Sequence, residues 1–105
     1  MAITNSQLNA TTKTEVLVAN GENAVTCIIF CNTSLETDAT VDLWVVPAAI
    51  AAGDANMVLN QISVPAGETF SLDTERFILQ DGDSIQSQAS QNTIITCTVS
   101  YVQVG

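Results

Sequence analysis

The chain has 105 residues, no histidine, and only two cationic side chains, Lys13 and Arg76. Without imidazole there is no Ser-His-Asp or Cys-His nucleophile and no histidine-containing zinc motif. Two cations against eleven carboxylates cannot displace the counterions of a nucleic-acid backbone, which excludes nucleic acid as a partner. An anionic membrane surface is disfavoured for the same reason. Aromatic residues are scarce, at 5 %, whereas a sugar-binding surface commonly presents several exposed rings. Apolar runs are short, the longest being Leu43 to Ile50, far from the roughly 18 residues of a membrane span. Residues 1–12 lack the basic start and apolar stretch of a secretory leader, so the expectation is a soluble protein made in a cytosol.

What remains is acidic and apolar at once: the formal net charge is −9, and 47 % of residues are hydrophobic. A chain of this length buries roughly two-thirds of its unfolded surface, enough for one core without metal or cofactor. One domain, acting through its surfaces, is expected. Its three cysteines, Cys27, Cys31 and Cys97, sit in apolar runs. On one strand Cys27 and Cys31 lie about 13 Å apart at 3.4 Å per residue, too far for a disulfide. Either could meet Cys97 on a neighbouring strand, but three small reduced thiols acting as hydrophobes are the simpler reading.

Along the chain, short alternating runs are separated by turn residues. Met1 to Thr12 reads as a polar arm with Ile3 and Leu8 as apolar pegs, disordered or docked on a neighbour, followed by a domain over 13–105. Strands are expected over Glu15–Ala19, Asn23–Asn32, Ala39–Val46, Met57–Val64, Glu68–Asp73, Phe77–Leu79, Ser84–Ala89 and Thr93–Val104. Asn20-Gly21 is the dipeptide of a type I′ hairpin, and Pro47 stops the strand before it. In Asn23–Asn32, Val25, Cys27, Ile29 and Cys31 fall on one face and Thr26, Ile28 and Phe30 on the other, as in a central strand covered on both sides. Only Ala48–Asn56 has helical leanings, for a turn or two. About eight strands at this spacing predict an all-β fold, a single antiparallel β-sandwich of the immunoglobulin-like or jelly-roll kind.

Few residues suggest chemistry. Asp81 with Asp83, and Asp73 with Glu75, are the nearest paired carboxylates, but such pairs beside a glycine are the ordinary composition of a solvated turn. Asp81-Gly82-Asp83-Ser84 lacks the remaining oxygen ligands of a calcium loop. Asn9-Ala10-Thr11 and Asn32-Thr33-Ser34 match the glycosylation tripeptide, which carries no meaning without a secretion signal. Trp44 reads as core or interface packing, with a glycan platform as the alternative. No catalytic residue, metal ligand or cofactor is expected.

The order of motifs is more telling than any one of them. Cys31-Asn32-Thr33-Ser34 ends a long strand; Ala39-Thr40-Val41-Asp42-Leu43-Trp44-Val45-Val46-Pro47, Ala52-Gly53-Asp54-Ala55-Asn56, Ile62-Ser63-Val64-Pro65-Ala66-Gly67-Glu68-Thr69 and Leu79-Gln80-Asp81-Gly82-Asp83-Ser84-Ile85-Gln86 follow. This series, spanning residues 13–104, resembles a family of small virion structural proteins of tailed bacteriophages, many from marine and cyanobacterial hosts. The resemblance implies a virion protein assembled in the host bacterial cytoplasm, where reduced cysteines are normal. Its expected role is an accessory subunit decorating or cementing the outer capsid through homo-oligomeric contacts. The expected partners are copies of itself, a trimer among the options, and the major capsid or tail proteins. Ile3, Leu8, Trp44 and Ile50 are the candidate interface residues. A tail, neck or fibre component, and a receptor- or glycan-binding module, are the alternatives.

Overall fold

Residues 2–72 and 77–104 are described by the structure, a computed structural model. Nine strands form among them: β1 (Ala2–Gln7), β2 (Thr14–Val18), β3 (Asn23–Asn32), β4 (Ala39–Val46), β5 (Met57–Val64), β6 (Thr69–Leu72), β7 (Phe77–Leu79), β8 (Ser84–Ala89) and β9 (Ile95–Gln103). They build two antiparallel sheets, one ordered β1-β9-β3-β6 with β7 also on β3, the other β2-β8-β4-β5. The pairings are nested: β1 with β9, β2 with β8, β3 with β6 and β7, β4 with β5. A long hairpin rolled around itself, with β3 also on β9 and β4 on β8, is a jelly roll. This decides between the two kinds of sandwich expected from the strand spacing.

The strand runs follow from alternation bounded by turn residues, and most form where that pattern places them. The opening segment differs. Instead of an arm, Ala2–Gln7 is an edge strand in continuous register with β9, from Ala2 opposite Tyr101 to Gln7 opposite Thr96. Leu8, just beyond it, is 0 % exposed and among the largest fully buried side chains. The expected hairpin at Asn20-Gly21 is absent as well, because β2 and β3 belong to different sheets. Only Gly21 of the pair takes a positive φ, 75°, and the dipeptide carries the chain across the sandwich. In Ala48–Asn56 only Asp54–Asn56 is helical, as one 3-10 turn.

The core lies between the sheets, with Phe30, Ile28 and Ile95 from the five-stranded sheet facing Leu43, Val41 and Ile85 from the other. Phe70 stacks beside Phe30 at a centroid distance of 6.4 Å. One irregularity matters for what the surface carries. The register of β3 against β9 slips between Val25 and Cys27, so Thr26 is a bulge residue and the alternation changes phase there. Val25, Ile28 and Phe30 are therefore all buried, while Cys27, Ile29 and Cys31 are half-exposed. The single face expected to hold Val25 together with Cys27, Ile29 and Cys31 is split at the bulge.

Candidate functional site: an uncharged sheet face

No strand of the five-stranded sheet contains a charged residue, although the chain carries thirteen. In the other sheet Glu15 and Asp42 are the only ones; among the described residues the rest of the charge lies in connections. Since paired residues share a face, the register gives the rows of the outer surface. Ile3, Ser100 and Cys27 form one row; Asn5, Thr98, Ile29 and Ser71 the next; Gln7, Thr96, Cys31 and Thr69 a third. This is a broad surface of hydroxyls, amides, thiols and aliphatic groups. It can hydrogen-bond and pack, and its strands carry no charge with which to steer an ion.

The three cysteines are free, and the sheet separates them: Cys97 is buried on the inner face, Cys27 and Cys31 are half-exposed on the outer one. A bridge from Cys97 to either does not form. Burial pushes the Cys97 thiol up from the ordinary 9.0 to about 12, because desolvation penalises the thiolate.

The four candidate interface residues are not brought together. Ile3 is 66 % exposed and lies on the uncharged face. Leu8 belongs to the molecule's own core and cannot peg a neighbour. Ile50 is 56 % exposed in the β4–β5 connection, where its N–H donates to the Pro47 carbonyl at 3.2 Å. Trp44 sits on the outer face of the other sheet, between Gln86 and Met57. It is only 5 % exposed, with the Lys13 ammonium 4.8 Å from its ring centroid. A ring capped in this way offers no open platform for a sugar.

The acidic turn is a structural device. One Asp83 oxygen accepts from the Ala48 N–H at 2.9 Å and the other from the Gln80 N–H at 2.9 Å, while Asp81 accepts from the Gly21 N–H at 2.9 Å. These carboxylates tie three connections together at one end of the sandwich. Asp73 and Glu75 lie outside the described residues. Asn32, met in the sequence only as part of a tripeptide, is buried with its amide fully engaged. It donates to the Thr37 and Val64 carbonyls at 2.8 and 2.9 Å and accepts from the Ser34 N–H at 3.0 Å. Its signal in the sequence was its place at the end of an apolar strand, where a polar side chain needs partners. Among the described residues no pocket opens and no group of three or more metal-ligating side chains is assembled. Comparison of the chain with protein-family models, with curated proteins and with solved structures finds no match.

Proposed function

We propose that this chain is a structural subunit of a bacteriophage virion, decorating or cementing the outer capsid by contacts with copies of itself and with the major capsid protein, and acting without catalysis. The observation that carries the reading is the uncharged outer face of the five-stranded sheet on a molecule of net charge −9. A sheet whose strands carry no charge leaves a surface on which protein can meet protein without desolvating carboxylates, whose unpaired burial is costly. The negative balance favours the outside of a particle over its DNA-filled interior, where phosphates would repel it. The jelly roll agrees with this role but does not choose it, since capsid, lectin and other domains share the fold.

A cementing subunit works mechanically: several weak attachments held at once resist separation far better than one. Mass spectrometry and cryo-microscopy of purified particles test the reading. Hundreds of copies on the shell are expected. A few multiples of three or six would move the protein to the tail or neck, and its absence from particles would sink the proposal.

A further inference from the structure

Each sheet has two edges, and three of the four are blunted. Edge strand β2 carries Glu15 and a register slip between Glu15 and Leu17. Edge strand β5 is bent at Gln61, whose φ is 53° and whose N–H is taken by Asp42 at 2.7 Å, and its pairing with β4 slips twice. The edge formed by β6 and β7 consists of strands of four and three residues. Short strands, charge and bulges are the devices that keep an edge from templating another strand. Strand β1 has none of them: six residues, no charge, no proline, no slip against β9.

The hydrogen-bond phase shows which groups this edge presents. The Leu8 N–H donates to the Ile95 carbonyl at 2.9 Å, so even-numbered residues of β1 direct their backbone groups toward β9. By alternation Ile3, Asn5 and Gln7 direct theirs away from it. Among the described residues no strand other than β9 pairs with β1.

We infer that the β1 edge is where two copies of this chain join, antiparallel about a two-fold axis through Asn5, to make one continuous sheet from two five-stranded ones. With Asn5 opposite Asn5 of the second copy and Ile3 opposite its Gln7, all three outward-facing residues exchange backbone hydrogen bonds, about six in total. The same register keeps Ile3, Asn5 and Gln7 on the uncharged face, so that face runs unbroken across the axis. A partner of opposite charge would be read by carboxylates, and this strand has none, whereas a two-fold pairing sets the strand against itself and so suits an edge free of charge. Two molecules of charge −9 repel, and an edge with no charge in its own strand or in the rest of its sheet is where that repulsion is least. The pairing deepens the proposed self-association, on which the choice of a second copy in part rests.

Sedimentation of the full chain over a concentration series, with two variants, tests the pairing. In Asn5→Pro the lost N–H is one that points away from β9, so the fold survives and the dimer weakens at least about tenfold. In Asn5→Cys, made with Cys27→Ser and Cys31→Ser, the two introduced thiols face each other at a Cα separation of about 5.5 Å and oxidise to a covalent dimer. Cysteine at Ser71, far from the axis on the same face, does not. A chain that stays monomeric throughout, associates only with a foreign protein, or forms a dimer that neither crosslinks through position 5 nor responds to Asn5→Pro overturns the inference. A chain that pairs through β1 yet is missing from particles leaves the edge standing and removes the virion role. A particle-borne chain that does not pair does the reverse.

Discussion

Asn32 shows how much one polar side chain can hold. Its amide joins the end of β3 to the connection after it and to the last residue of β5, in a place water does not reach. Asn32→Ala leaves two carbonyls and an N–H short of a partner and should cost about 2–3 kcal/mol in denaturant unfolding. Phe30→Ala, at the centre of the core, should cost about 3–5 kcal/mol by the same measurement. Cys97 adds a dependence on pH. Its folded value lies above the ordinary 9.0 at about 12, so the neutral buried thiol contributes its full stabilisation below pH 9. As pH rises from there toward 12 the unfolded chain ionises first, and that contribution is lost. The unfolding midpoint of the wild type should therefore fall over this window more steeply than that of Cys97→Ala. At neutral pH a thiol reagent should titrate Cys27 and Cys31 in the folded protein and reach Cys97 only on unfolding.

At the scale of elements, the sharpest departure from the sequence reading is β1. Ala-Ile-Thr-Asn-Ser-Gln has a single large apolar residue, and that residue points outward, so the alternation that betrays a half-buried strand is missing. What secures β1 is its ladder to β9 and the anchoring of Leu8, neither of which is local. Deleting residues 1–8 should lower the thermal midpoint by several degrees or prevent folding, since burial of a leucine alone contributes about 2–5 kcal/mol. A dispensable arm would leave the melting curve unmoved. The other eight strands were legible because Pro47, Pro65-Ala66-Gly67 and Asp81-Gly82-Asp83 mark their ends and alternation fills the spaces between. Sheet membership was not: the pattern of β2 or β3 says which residues turn inward, not which sheet they join, and so Asn20-Gly21 read as a hairpin. The Thr26 bulge was invisible for a related reason. A run apolar on both sides looks the same before and after a phase change, and only the ladder to β9 reveals where the uncharged face begins.

For the whole molecule, the distribution of charge matters more than its amount. Scarcity of cations was plain in the composition, but the absence of charge from every strand of the five-stranded sheet became visible only once the strands were assigned to sheets. Self-association should strengthen as salt screens the repulsion between copies, an effect measurable by sedimentation in low and high sodium chloride. Contacts built on ion pairs would weaken under the same change.

The meeting of the first and last strands has one more consequence. Ala2 lies opposite Tyr101, and Leu8 opposite the start of β9, so the five-stranded sheet cannot close until β9 itself has left the ribosome. Pairings of such long sequence separation also form slowly. There is thus an interval in which β9 is still finding its place between β1 and β3. Until it does, the edge that joins two copies has no ladder behind it, and assembly waits on the completed monomer.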